Sequence, residues 1–302
     1  MYQQHFGFTD IPFRLTPDTE YFYSYPSHEE ALNLLKVAMM MGEGFIKITG
    51  EVGSGKSLLC RKLMHMLVDD YYVAYIPNPF MNASALREVF AQELGIDPAP
   101  LAGEHQLMRM IQDRLIELSA AGHKVVLLLD EAQALPIQSL EAIRLFTNLE
   151  TEKRKLLQVV LFGQPELDDH LAQHSARQIR QRITFSFHLN PMDLKGVEGY
   201  IKHRLSIAGA VQFALFEPAA IRKLYHSTKG IPRLVNILAH KSLMVAYGKG
   251  DRFVTPKHVS AAIKDTVESV VKAKTGHWLR LAGLSVSTLA ASGMLYLYGS
   301  GT

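Results

Sequence analysis

The sequence predicts an α/β fold in which helices flank a parallel sheet, followed by a small all-helical domain and a C-terminal transmembrane helix. Three observations support this fold class. A glycine-rich loop follows the apolar run at residues 45–49 and opens into a helix-like segment. Apolar runs then alternate with stretches of helical periodicity as far as residue 190, after which the strand signal stops. Finally, residues 281–302 carry no charge.

Length and composition set the outer limits of the prediction. A chain of 302 residues is long enough for about two domains. The net charge of only +3 does not by itself call for nucleic acid or an anionic surface as partner. The single cysteine, Cys60, excludes an internal disulfide and is expected to pack as a small apolar residue. The N-terminus has no basic segment followed by an apolar core, so no cleavable signal peptide is expected.

The glycine-rich loop has the residue types that phosphate binding requires. Its glycines let several backbone N–H groups approach an anion, which side chains at those positions would obstruct. Lys56 adds a mobile cation for the β and γ phosphates, and the hydroxyl of Ser57 can ligate Mg²⁺. The helix that follows presents its N-terminus to the same anion. The predicted nucleotide-binding residues of this segment are Gly50, Glu51, Val52, Gly53, Ser54, Gly55, Lys56, Ser57 and Leu58.

An acidic pair provides the second half of the predicted site. Residues 125–129 are five apolar residues that predict a strand buried on both faces, and Asp130 and Glu131 follow it directly. Ligands bind at this edge of an open α/β sheet. We expect Asp130 to hold Mg²⁺ together with Ser57, and Glu131 to polarise the water that attacks the γ phosphate of ATP. The alternative is a solvated acidic pair that caps the next helix.

The remaining elements follow from periodicity and from helix-start signals. Further strands are predicted at residues 72–76, 156–162 and 185–189, and helices at 58–68, 84–94, 104–121 and 137–149. Beyond residue 190, helices are predicted to begin at Asp193, Pro218, Pro232 and Pro256. The predicted domains are therefore an α/β nucleotide-binding domain at 1–190 and a helical lid domain at 191–268, with a linker at 269–277.

The C-terminal apolar stretch predicts one membrane span at residues 278–298, with a short tail at 299–302. Residues 281–298 would form a helix about 27 Å long, close to the hydrocarbon thickness of a bilayer. Trp278 at one end and Tyr296 with Tyr298 at the other fit the membrane interfaces. The alternative is a buried terminal helix of the soluble domain. Lys272, Lys274 and Arg280 precede the uncharged run that begins at residue 281, which places the preceding domains in the cytoplasm.

Several motifs together resemble a known family. The motifs are FGFTDIPFRLTPDTEYFY, GFIKITGEVGSGKS, LLLDEAQ, LFGQPEL, RQIRQRI and GIPRLVN. They resemble the AAA+ ATPases, and among these the ExeA or general secretion pathway protein A group, over about residues 1–270. With one C-terminal span and no outer domain, the chain looks most like the ATPases of MSHA pilus biogenesis. The resemblance implies ATP and Mg²⁺ as cofactors.

The resemblance also implies roles for residues outside the phosphate loop and the acidic pair. Gln164 stands at the position of the sensor that contacts the γ phosphate or the attacking water. Arg233 matches the lid sensor, a cation that reaches back to the nucleotide. One of Arg182, Arg180 and Arg177, in that order of preference, matches the arginine finger that acts on the nucleotide of a neighbouring chain. The alternative for each of these arginines is a surface residue without a role at the nucleotide.

Two features near the N-terminus leave alternatives open. Phe6, Phe8, Pro12 and Phe13 could pack beside the adenine base or belong to an ordinary core. His28 resembles a position near the base, but an isolated histidine is also typical of a helix cap.

The resemblance implies a membrane-anchored ATPase that forms a homo-oligomeric ring and assembles, positions or remodels a bacterial envelope machine. Its partners would be pilus or secretion-system proteins, and its location would be the bacterial inner membrane. The alternative is a DNA-linked helper ATPase of the transposition type. The predicted span and the absence of a concentrated basic tail disfavour nucleic acid as a partner. A nucleotide switch without useful turnover ranks last, because Lys56, Asp130 and Glu131 are all present.

Overall fold

The computed structural model describes residues 2–68, 70–97, 103–148, 155–210 and 214–266. In chain order the first half contains the elements α1 (Tyr2–Phe6), α2 (Pro26–Met40), β1 (Phe45–Gly50), α3 (Lys56–Leu67), β2 (Tyr71–Ile76), α4 (Ala83–Glu93), α5 (Glu104–Ala120) and β3 (Lys124–Leu129). The second half contains α6 (Ile137–Phe146), β4 (Leu157–Gly163), α7 (Glu166–Ala172), α8 (Arg177–Arg180), β5 (Ile183–Leu189), α9 (Leu194–Ile207), α10 (Pro218–Thr228), α11 (Pro232–Gly248) and α12 (Pro256–Lys264).

The strands within the described residues form one parallel sheet in the order β2-β3-β4-β1-β5. Strand β4 lies between β3 and β1, with Val160 opposite Ile46 of β1 and opposite Leu128 of β3. Because parallel strands end at the same edge, the segments after β1, β3 and β4 meet there. This order brings the phosphate loop, the acidic pair and Gln164 to neighbouring positions.

The sheet is buried on both faces, which explains the continuous apolar runs of β3 and β4. Successive side chains of a strand point to opposite faces. Val126 and Leu128 pack in the cluster that includes buried residues of α2 and α3. Leu127 and Leu129 pack in the cluster that includes buried residues of α4, α5 and α6. The predicted parallel sheet flanked by helices is thus confirmed.

Helices α9 to α12 pack around a core of their own, and the N-terminal segment completes it. Tyr2, Phe8 and Phe13 are buried in the same cluster as Val197 of α9 and Leu238 of α11. The Tyr2 hydroxyl also lies 2.9 Å from Nδ1 of His240. Of the two alternatives stated for Phe6, Phe8 and Phe13, the structure supports ordinary core packing, with Phe6 partly buried against the same cluster.

Some elements differ from the sequence prediction. Helices α1, α2, α7 and α8 were not predicted; α1, α7 and α8 are short, while α2 places Ala31, Leu35 and Ala38 in the core. Helix α6 ends at Phe146, where the N–H of Thr147 closes the last turn, whereas the prediction ran to residue 149, which lies outside the described residues.

No helix within the described ranges is long and apolar enough to cross a bilayer. The predicted span at residues 278–298 lies outside those ranges, as do the linker and the tail.

Candidate functional site

The phosphate loop connects β1 to α3 and contains two glycines in the left-handed backbone region. Gly53 has φ +80° and Gly55 has φ +101°, values that side-chain-bearing residues rarely adopt. The N–H of Ser54 donates to the carbonyl of Glu51 at 3.0 Å, which closes the loop. A Cβ atom at Gly50 would lie 2.8 Å from Oγ of Ser54. The loop therefore needs glycine both for its backbone angles and for its close packing.

Lys56 begins α3 and folds back over the loop. Its Nζ atom donates to the carbonyl oxygens of Gly50 at 2.7 Å and Glu51 at 2.9 Å. The residue is only 4% exposed. Burial lowers the pKa of Lys56 by more than the negative charges of Glu131 and Asp130 raise it. Its charge is thus held inside the loop, where the phosphates of a nucleotide would lie.

Asp130 and Ser57 present hard oxygen atoms beside the loop. Asp130 is buried, and burial raises its pKa although the hydroxyl of Ser57 and the N–H of Glu131 both donate to it. A hydroxyl and a carboxylate are ligands that suit Mg²⁺, which usually takes one or two protein ligands beside phosphate oxygens and water. The donor set at this position fits a magnesium ion.

Glu131 has an uncommon backbone conformation, and two glutamines contact its side chain. Its φ of 54° is left-handed, which is unusual for a residue with a long side chain. The amide of Gln164 donates to Oε2 of Glu131 at 2.9 Å, and the amide of Gln133 donates to the same atom at 2.5 Å. Gln133 also accepts the backbone N–H of Gln164 at 2.9 Å.

These contacts set the charge state of Glu131. Partial burial raises its pKa, but the hydrogen bonds from Gln164 and Gln133 and the charge of Lys56 outweigh that effect, so the pKa of Glu131 is lowered. The carboxylate is therefore ionised at neutral pH and able to accept a hydrogen bond from water. Gln133 was not among the predicted site residues; it is the last residue of the motif LLLDEAQ, but nothing in the sequence gave it a role.

A cavity of about 200 Å³ lies between the phosphate loop, the N-terminal segment and the helical domain. The N–H of Arg233, at the start of α11, donates to the carbonyl of Gly53 at 3.2 Å, which joins the helical domain to the loop. The residues that line the cavity are Arg14, Leu15, Thr16, Pro17, Asp18, Val52, Gly53, Gly55, Lys56, Ser57, Leu58, Glu131, Tyr200, Arg204, Pro232, Arg233 and Asn236. Most predicted binding residues of the loop therefore share one cavity with Glu131 and Arg233.

A buried hydrogen-bond network lines part of this cavity, and none of its residues was predicted as a site residue. The guanidinium of Arg204 donates to the carbonyl of Pro12 and to the hydroxyl of Tyr200 at 3.0 Å. Tyr200 in turn donates to Asn236 at 2.9 Å. The network ties α9 and α11 to the N-terminal segment that contributes Arg14 to the cavity wall. No sequence pattern pairs these residues, because they come from three distant parts of the chain.

The remaining predicted residues lie apart from the cavity. Arg177 and Arg180 are exposed, and Arg182 is half-buried with its Nη1 atom 3.4 Å from the hydroxyl of Thr147. Cys60 is buried in α3, and burial raises the pKa of its thiol, in agreement with a packing role. His28 does not line the cavity, and its Nε2 atom lies 3.0 Å from the carbonyl oxygen of Ser54 in the phosphate loop.

Comparison with known proteins agrees with this fold. The AAA domain family matches residues 39–171, from the end of α2 to α7. Among solved structures, Cdc6p of Pyrobaculum aerophilum has a TM-score of 0.62 at 20% identity, covering 82% of this chain and 70% of that chain. The ORC2 protein of Aeropyrum pernix has a TM-score of 0.58 at 15% identity, covering 87% of this chain and 74% of that chain. At such identities the likeness concerns the fold alone.

One curated relative is much more similar in sequence. General secretion pathway protein A of Aeromonas hydrophila is 40% identical over 262 residues, which is 87% of this chain. The match covers 48% of the relative, so the chain spans about half the length of that protein. Residues 39–171 are therefore similar to the AAA domain family, and the chain as a whole is similar to about half of general secretion pathway protein A.

Proposed function

We propose that this chain is a magnesium-dependent ATPase. The observation that carries the proposal is the position of the ionised Glu131 carboxylate at the margin of the cavity that also contains the phosphate loop. Lys56 and Arg233 line the same cavity and supply the positive charge that a triphosphate requires. Ser57 and Asp130 would hold Mg²⁺, which would neutralise charge on the β and γ phosphates.

In the proposed mechanism each residue of the site has a separate role in hydrolysis. Glu131 accepts a hydrogen bond from the attacking water and so orients it toward the γ phosphate. Gln164 and Gln133 fix the carboxylate through Oε2, which leaves Oε1 for that water. Backbone N–H groups of the loop and the Lys56 ammonium stabilise the charge that develops on the phosphate oxygens. Arg233 couples the nucleotide to α11, because its own N–H already contacts Gly53.

The proposal includes a homo-oligomer in which an arginine of one chain completes the site of the next. A planar guanidinium suits the dispersed charge of the transition state. Arg180 is exposed and therefore accessible to a neighbouring chain, whereas Arg182 contacts Thr147 of its own chain. Exposure thus favours Arg180, while the motif position favours Arg182.

We also propose that the ATPase acts on a bacterial envelope machine of the secretion or type IV pilus class. Support comes from the 40% identity to general secretion pathway protein A. The uncharged stretch within residues 278–298 would anchor the chain in the inner membrane, with the ATPase domain in the cytoplasm.

The ATPase proposal is tested with purified full-length protein in mild detergent. We expect Mg²⁺-dependent ATP hydrolysis, about a hundredfold slower hydrolysis in Glu131→Gln with ATP binding retained, and no binding in Lys56→Ala. Glu30→Gln, an exposed residue of α2, is the matched control and should behave as the unchanged chain. Unaltered hydrolysis in Glu131→Gln would remove the proposed base.

A further inference from the structure

The first turn of α2 lies against the phosphate loop, and none of its residues lines the cavity. Pro26 occupies the first helical position, where its fixed φ angle suits a helix start. His28 follows two residues later and is 7% exposed. Its Nε2 atom lies 3.0 Å from the carbonyl oxygen of Ser54, which is itself 2% exposed. This contact joins two segments that are 26 residues apart in the chain.

The chemistry of the contact defines the state of the ring. A carbonyl oxygen can only accept a hydrogen bond, so Nε2 of His28 must carry the proton. Burial lowers the pKa of His28 by more than the hydrogen bond to Ser54 raises it. The lowered pKa favours a neutral ring, in which Nδ1 carries no proton. Nδ1 is buried and has no hydrogen-bond partner among the described residues. An apolar side chain would avoid that cost, so packing alone does not explain a histidine here.

The bonded carbonyl belongs to the peptide group that also contains the N–H of Gly55. A trans peptide is planar, and its carbonyl and N–H point in opposite directions. Holding the Ser54 carbonyl toward His28 therefore directs the Gly55 N–H away from α2. Gly55 lines the cavity and His28 does not, so we infer that the side of the peptide away from His28 is the cavity side.

The same contact explains the requirement for glycine at position 55. A Cβ atom there would lie 2.9 Å from Nε2 of His28, in addition to the strain of φ +101°. The His28 ring thus fills the space that a side chain at position 55 would take. It lies close enough to the backbone for the hydrogen bond to the Ser54 carbonyl.

We propose that His28 is a positioning residue of the nucleotide site, which sets the Ser54–Gly55 peptide so that its N–H faces the phosphates. It acts through the loop and contacts no part of the nucleotide. The proposal rests on the proposed ATPase function and replaces the predicted position of His28 near the base.

The test uses a pair of substitutions that match in size and differ in hydrogen bonding. His28→Gln places an amide N–H at nearly the position of Nε2, while His28→Met has the same length and no donor. Affinities for ATP and for inorganic tripolyphosphate are measured by calorimetry on the full-length protein. We expect His28→Met to weaken both by about tenfold or more, in step with the loss of one buried hydrogen bond. We expect His28→Gln to stay within about threefold of the unchanged chain.

Each other outcome has a definite meaning. Equal affinities in the Gln and Met variants would overturn the role of the Nε2 donor. Weaker ATP binding with unchanged tripolyphosphate binding would also overturn it, because that pattern indicates contact with the base or ribose. If His28→Met does not fold, His28→Asn, whose amide is too short to reach Ser54, takes its place. Failure of the unchanged chain to bind ATP would instead refute the ATPase proposal.

Discussion

The side-chain amide of Gln164, which follows β4, donates a hydrogen bond to Oε2 of Glu131, which follows β3, at 2.9 Å. The two residues are 33 positions apart and meet because β3 and β4 are neighbours in the sheet. Gln133 contacts both of them, through Oε2 of Glu131 and the backbone N–H of Gln164. The proposed base is therefore part of a three-residue arrangement at the edge of the sheet.

Removing the Gln133 amide should shift the pH dependence of hydrolysis. The bonds from Gln164 and Gln133 stabilise the ionised form of Glu131 and lower its pKa, so losing one of them raises that pKa. We expect the acidic limb of the kcat profile to move to higher pH in Gln133→Met, with KM for ATP unchanged. Gln112→Met, at an exposed position of α5, is the control. An unmoved acidic limb would exclude Gln133 from tuning the base.

Alanine at Gly53 should separate the helical domain from the phosphate loop. Gly53 has φ +80°, and an added Cβ would lie 2.4 Å from Cβ of Arg233. Gly122→Ala is the matched control, since Gly122 has φ +92° with no atom within 4 Å of the added Cβ. We expect both variants to lose about 1–2 kcal/mol of unfolding free energy from the left-handed backbone.

Only Gly53→Ala should lose further stability and bind ATP more weakly, because only there must α11 move away from the loop. Chemical denaturation and calorimetry measure the two effects. Equal losses in Gly53→Ala and Gly122→Ala would show that the contact with Arg233 has no energetic role.

An arginine that acts on a neighbouring chain can be identified by mixing inactive variants. We expect Arg180→Ala or Arg182→Ala to lower kcat by about 10³-fold while ATP binding is kept. Lys56→Ala has an empty site but intact arginines, so adding it to the arginine variant should restore hydrolysis. Arg177→Ala serves as the comparison. Restored activity would identify the finger, and mixtures that stay inactive would count against action in trans.

Membrane attachment should depend on the C-terminal stretch. We expect the full-length chain to stay with membranes after alkaline extraction and a version that ends at Thr275 to become soluble. ATP binding by the shortened version is the control, because the cavity is built from residues before that point. Release of the full-length chain under the same extraction would contradict the proposed anchor.

The sequence by itself determined the phosphate loop, the acidic pair and the parallel sheet. These features are local, since loop geometry requires glycines at short spacing and a doubly buried strand requires an unbroken apolar run. The start of α9 could also be predicted from the sequence, because its signal is the local capping residue Asp193, which accepts a hydrogen bond from the N–H of Gly196.

Only the tertiary structure decided which distant residues support the site. Gln133, His28 and Arg204 make contacts that depend on the strand order and on the packing of the N-terminal segment against α9 and α11. A hydrogen bond between residues far apart in the chain leaves no periodic or local pattern, because its geometry exists only after the intervening elements have packed. For the same reason, the sequence was equally consistent with two positions for the aromatic N-terminal residues, beside the base or in the core. The structure places Phe8 and Phe13 in the core of the helical domain.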